Sequence, residues 1–179
     1  MLRGINVGGR NKLDMAALRV LYQSLKLEDA RTLVQSGNVI FRSKEKGSAA
    51  LAKKIQNAIA RQFGCRPEII LRTTTEMRAA INVSPFAGRR DLNPGKLLVT
   101  FLAAEPAPEA QIALLPLRAY PEELHLSGRE LYIYFPNGAG KSKLPWPKIA
   151  ELLKTTGTAR NWNSVTKMLK IAEEMEASE

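Results

Sequence analysis

Apolar residues recur at helical spacing in two early stretches of the chain. Met15, Leu18, Leu21, Tyr22 and Leu25 fall on one face of a helix predicted over 14–26, with Asp14 as its N-cap. Leu51, Ile55, Ile59 and Phe63 do the same in a second helix that Ser48 is expected to cap and Gly64 to end in the left-handed conformation. Shorter apolar runs predict strands over 2–7, 31–35, 38–42 and 68–72, with Ser36-Gly37 as a two-residue hairpin turn. The chain opens inside the first of these. A full strand of about five or six residues would have more residues before Leu2, which points to a truncated start.

The order strand, helix, strand, strand, helix, strand is that of the ferredoxin-like plait, and it closes near residue 73. The second half repeats much of the pattern. A short helix is predicted over 75–81, a buried strand over 96–102, a helix over 109–115, and strands over 122–126 and 130–135 about a Ser127-Gly128 hairpin. Helices over 148–154 and 163–175 complete it, the last with Val165, Met168, Leu169 and Ala172 inward and Asn163 as its cap. The fold expected is α+β: a ferredoxin-like subdomain over 1–74 and a second, incomplete or elaborated one over 75–179, both with antiparallel sheets. The loop 82–95, with Pro85, Gly88, Pro94 and Gly95, is the natural boundary.

Rare residues narrow the chemistry. One cysteine, Cys65, excludes an intrachain disulfide and reads as a small apolar filler in a cytoplasmic protein. One histidine, His125, in a strand-like run, makes neither a four-ligand zinc site nor a convincing Ser–His–Asp set. The three aspartates, Asp14, Asp29 and Asp91, do not cluster in sequence, which disfavours magnesium-assisted phosphoryl transfer. No cofactor or metal is expected, and no apolar run approaches the roughly 20 residues of a membrane span.

Charge adds a direction. The chain of 179 residues carries a formal +10, with 14 Lys/Arg against 5 Asp/Glu up to residue 73 and 13 against 12 beyond it. A basic first half suits a polyanion, a phosphate group or an acidic partner; it also suits a merely solvated surface. Gly8-Gly9 lies between a strand and a helix, where main-chain amides and a helix N-terminus favour anions, and Arg3, Arg10 and Lys12 flank it. The alternative is that these glycines only permit a turn. In a plait the turn Gln35-Ser36-Gly37-Asn38 emerges at the same end, so Gln35, Ser36 and Asn38 join Asn6 and Lys12 as candidate ligand residues, unless they serve their own turn.

Two further segments are candidates. The run Pro136-Asn137-Gly138-Ala139-Gly140-Lys141-Ser142 ends like a phosphate-binding loop. Its first glycine is replaced by Phe135, and Pro145 and Pro147 interrupt the helix expected to follow, so a nucleotide triphosphatase is rejected. A weaker cradle from Lys141 and Ser142 is retained. Arg160-Asn161-Trp162 precedes the last helix, and Trp162 either stacks on a base or packs as a hydrophobic staple. The strands carry too few aromatics for the sheet-face style of RNA recognition.

Together, Leu2-Arg3-Gly4-Ile5-Asn6-Val7-Gly8-Gly9, Gln35-Ser36-Gly37-Asn38-Val39, Pro136 to Leu144 and Arg160 to Lys167 resemble a widespread bacterial family of uncharacterised proteins defined as a domain of unknown function. The resemblance spans essentially the whole chain. It implies two ferredoxin-like subdomains, further residues ahead of the Leu-Arg-Gly, and no established activity, substrate or cofactor. The Pro145-Trp146-Pro147 run departs from the family's plainer helix. The leading expectation is a binding module for a phosphate-bearing anion, nucleic acid first. The alternatives are an enzyme acting on a small phosphorylated or nucleotide-like substrate, with Lys12, Lys141 and Arg160 stabilising charge, and a protein–protein module.

Overall fold

A computed structural model describes residues 1–6, 11–117 and 121–178. The chain divides into two compact units, one of Met1–Thr73 with Met168–Glu179, the other Thr74–Lys167.

In the first unit α1 (Met15–Ser24) starts where expected, because the Asp14 carboxylate accepts hydrogen bonds from the Ala16 and Ala17 amides. β1 (Glu28–Leu33) and β2 (Asn38–Arg42) pair antiparallel, with Leu33 opposite Asn38. The connection is therefore four residues, 34–37, rather than a two-residue turn. Gly37, at φ +73°, is pressed so close to Leu2 and Ile5 that no side chain fits. α2 (Ser48–Phe63) ends at left-handed Gly64 as predicted. Its cap is Gly47, with no side-chain bond, so Ser48 is the first helical residue instead.

Of the strands expected over 2–7 and 68–72, the described residues keep one antiparallel bridge, Leu2 with Ile69, while Val7 lies outside them. The Arg3 amide donates to the Glu68 carbonyl and the Ile70 amide to that of Met1. Gly4, at φ +68°, then turns the chain aside and ends the pairing. The core is Leu2, Ile5, Leu18, Tyr22, Leu27, Ile55 and Ile59, all nearly inaccessible, with half-buried Cys65 against it as a filler.

The second unit opens with α3 (Thr74–Asn82). Then come β3 (Leu97–Leu102), α4 (Pro108–Leu114), β4 (Glu123–Ser127), β5 (Glu130–Tyr134), α5 (Trp146–Leu153), β6 (Gly157–Asn161) and α6 (Trp162–Glu176), the last continuing into the stretch grouped with the first unit. Four strands form one antiparallel sheet in the order β4-β5-β3-β6. The strand β6 completes the sheet that the sequence had left incomplete. It escapes notice because its inward residues are Thr158 and Arg160, not aliphatics. Ser127 pairs with Glu130, so the tight turn is Gly128-Arg129, one residue later than expected. Pro147 does not interrupt α5. It occupies the first turn, where no amide donor is needed. One sheet face, with Leu124, Leu126, Leu131, Ile133 and Phe135, packs under Ala110 and Leu114 of α4 and Ile149 and Leu153 of α5. Among the described residues, then, the molecule is α+β with two antiparallel sheets and six α-helices.

Candidate functional site

Gly8 and Gly9, with Val7 and Arg10, lie outside the described residues; their flanks do not. Asn6 holds the base of that loop. Its amide donates to the Asn11 carbonyl (3.1 Å), and its side-chain oxygen accepts from the Leu13 amide (2.8 Å). Its side-chain nitrogen donates to the carbonyls of Leu13 (3.2 Å) and Gln35 (2.8 Å). The last bond ties Asn6 to the 34–37 turn. Asn11, which the sequence did not single out, donates from its side chain to the Gly4 carbonyl.

The backbone there is strained. Asn6, Asn11 and Val34 have φ of 53°, 47° and 51°. Asparagine is among the few residues that adopt the left-handed region readily, whereas a β-branched residue there is an outlier. Val34 is also 57% exposed, so core packing does not explain its conformation.

The side chains divide into structural and available ones. Asn6 is engaged as described, and Asn38 is fully buried with its amide donating to Ser36 Oγ (3.0 Å). Arg3 is exposed and pairs with Glu68 at 3.2 Å. Gln35 and Lys12 are exposed, and Lys12 makes no ion pair among the described residues. The helix N-terminus contributes less than expected: two of its amides are already held by the Asp14 carboxylate, which also brings negative charge to the spot.

In the second unit the cradle around Lys141 is largely saturated. The amides of Gly138, Lys141 and Ser142 donate to the carbonyls of Phe135, Gly138 and Ala139 in a single 3-10 turn, Ala139–Lys141. Ser142 Oγ donates to Glu122 (3.1 Å) and accepts from the Leu144 amide (3.2 Å). The side chains of Asn137, Lys141 and Lys143 are exposed there.

Arg160 is buried on β6. Its guanidinium donates to Thr158 Oγ1 (2.6 Å) and the Ala159 carbonyl (2.7 Å), and desolvation pushes its pKa down to about 10, so it stays charged at neutral pH. Asn161 donates to the Gly95 carbonyl (2.8 Å) and accepts from the Asn163 amide (3.0 Å), which makes Asn161, not Asn163, the cap of α6. Trp162 is half-buried as the first residue of that helix, two positions past the place of a staple residue, which falls on Arg160. Lys96 donates to the Pro136 carbonyl, so the start of the 136–142 loop and Asn161 are tied to adjacent residues.

Among the described residues no group of three or more His, Cys, Asp or Glu side chains has the arrangement to hold a metal ion, and no helix is long and apolar enough to cross a membrane. No functionally curated protein matches the chain. Among solved structures, a conserved bacterial protein, SP0830 from Streptococcus pneumoniae, superimposes with a TM-score of 0.70 at 26% identity, over 96% of each chain. A family model described as a protein of unknown function, DUF1697, matches residues 1–132. That span is well over half of the 179 residues, and the chain belongs to the DUF1697 family.

Proposed function

We propose that the surface of the first unit around Asn6, Lys12 and the 34–37 turn binds a phosphate-bearing anion, with nucleic acid as the favoured ligand class. One observation carries the reading. The Asn6–Gln35 bond joins the two polar motifs, and three non-glycine residues around it, Asn6, Asn11 and Val34, are held in left-handed conformations. For a β-branched residue such as Val34 this conformation costs on the order of 1–3 kcal/mol, and strain of that kind collects where a ligand is clamped. Lys12, exposed and without an ion pair among the described residues, supplies a cation beside this platform. The positive charge is a weaker support than the sequence suggested. With the acidic C-terminal stretch counted in it, the first unit holds 15 Lys/Arg against 9 Asp/Glu, and the second 12 against 8.

Phosphate contacts of this kind release counterions, so affinity falls steeply with salt. Retention on immobilised single-stranded RNA or DNA of unrelated sequence at low salt, lost at physiological salt and reduced in Lys12→Ala, is the expected result. Equal retention of the variant overturns the assignment to this surface. Each unit is also read as a ferredoxin-like plait. The sheet order β4-β5-β3-β6, with helices after its first and third strands in sequence, supports this for the second unit, and the Leu2–Ile69 bridge beside the β1–β2 hairpin supports a reduced version for the first.

A further inference from the structure

Trp146 is the one exposed aromatic among the described residues, at 44%. Packing explains only part of its position. The indole lies tilted at 35° to the ring of buried Phe135, with centroids 6.2 Å apart. The backbone around it is fixed. Pro145, at φ −77° and ψ 74°, makes an inverse γ-turn in which the Trp146 amide donates to the Leu144 carbonyl (2.9 Å). Pro147 fixes the chain on the other side, in the first turn of α5. With a proline on each flank and Phe135 against it, the indole has little conformational freedom left to lose on binding.

The charge near it in sequence is of one sign. No Asp or Glu occurs from 131 to 150, whereas Lys141, Lys143 and Lys148 do. Lys148 is paired with Glu151 at 3.0 Å. Glu122 reaches this segment from outside it and accepts from Ser142 Oγ. Lys141 and Lys143 are exposed and make no ion pair among the described residues. The main-chain amides of Gly138, Lys141 and Ser142 are spent on their own turn, so any contact here is made by side chains. A flat ring beside cations suits a strand that alternates bases with phosphates. A lipid surface would want a broader apolar face, and from 136 to 150 no Leu, Ile, Val or Phe is exposed beside the indole.

We propose that Trp146, Lys141 and Lys143 form a contact for single-stranded nucleic acid, one base stacking on the indole while neighbouring phosphates meet the two ammonium groups. The contact lies in the second unit and shares no residue with the anion platform of the first, so it does not rest on that reading.

Intrinsic fluorescence tests it. At low salt a short oligothymidylate should quench the wild-type emission. Trp146→Phe, which keeps Trp162 as its remaining emitter, should lose that quenching. A duplex, whose bases are already stacked, should quench far less, as should vesicles of anionic phospholipid. Trp146→Ala should weaken oligothymidylate binding by about 5-fold or more. Lys141→Ala/Lys143→Ala, on exposed positions and with unchanged circular dichroism, should lower the slope of log affinity against log salt by about 1.4. Lys12→Ala should quench as wild type does, so the loss of either contact is seen apart from the other. Absence of quenching at low salt, equal quenching in Trp146→Phe, an unchanged slope in the double lysine variant, or equal quenching by duplex or vesicles overturns the proposal.

Discussion

The two sheets of this protein are held by different means. In the second unit each neighbouring strand pair of the four-stranded sheet has five paired positions, and the central strand β3 is bonded on both sides. Among the described residues of the first unit the β1–β2 hairpin has four paired positions, and beyond it there is one bridge. What replaces the ladder there is side-chain work: Leu2 and Ile5 packed on Gly37, and Asn6 and Asn11 bonded to the main chain on either side of the loop. A ladder repeats the same backbone bond many times and tolerates most residues. The first unit depends instead on a few particular ones, and those few surround the proposed ligand platform.

The largest expected effect follows from that contrast. At Gly37 an added Cβ would lie 2.5 Å from Ile5 Cδ1 and 2.9 Å from Leu2 Cβ, at a φ of +73°. Gly37→Ala should cost about 1–3 kcal/mol for the overlap and roughly 1–2 kcal/mol more for the left-handed backbone, read as a fall in Tm of many degrees. The matching change in the ladder-held unit, Gly157→Ala, meets Thr100 Cγ2 at 2.7 Å with no positive φ. It should cost less, and the reverse order would break the comparison.

Asn6→Ala is next. It removes three main-chain partners and should cost about 1–3 kcal/mol, with anion retention lost alongside stability; retention kept in a folded Asn6→Ala protein would separate the platform from the site. Asp14→Ala sharpens the electrostatic part. Loss of the cap should cost about 1 kcal/mol, yet freeing the Ala16 and Ala17 amides and deleting a carboxylate should raise anion retention. A fall in retention with the fold intact would show that the helix terminus plays no part.

The smallest effect is expected at Asp91, whose carboxyl hydrogen bonding to Arg89 holds below its usual pKa. A depressed carboxylate contributes fully at neutral pH and loses its contribution only as pH falls below the ordinary aspartate range. The pair is exposed, so Asp91→Asn should leave Tm nearly unchanged at neutral pH and flatten the acid limb of the stability profile slightly.

The helices were legible because their apolar period and their terminators, Asp14 and Gly64, act locally. The family, one of unknown function, was legible too, and its model covers residues 1–132, which hold two of the four motifs. What escaped depends on distant partners. β6 is inward-facing through Thr158 and Arg160, a pattern that alternation of aliphatics does not reveal. Pro145 and Pro147 read as breakers, although the first turn of a helix admits proline. Gly37 read as a turn residue, whereas its necessity comes from Leu2 and Ile5, more than thirty positions away. At the candidate site the residue types were visible but not their employment. Asn6 and Asn38 are spent on the main chain and on Ser36, and Ser142 on Glu122, which leaves Lys12 and Gln35, among the described residues, as the exposed candidate groups beside Asn6 and the 34–37 turn.

The central claim is that this surface seats phosphate, and fluorescence anisotropy of a labelled single-stranded oligonucleotide tests it most directly, with wild type and Lys12→Ala titrated across a salt series. The account predicts binding at low salt, a steep linear fall of log affinity with log salt, and a shallower slope for the variant. No binding at low salt, or identical slopes for the two proteins, would contradict it.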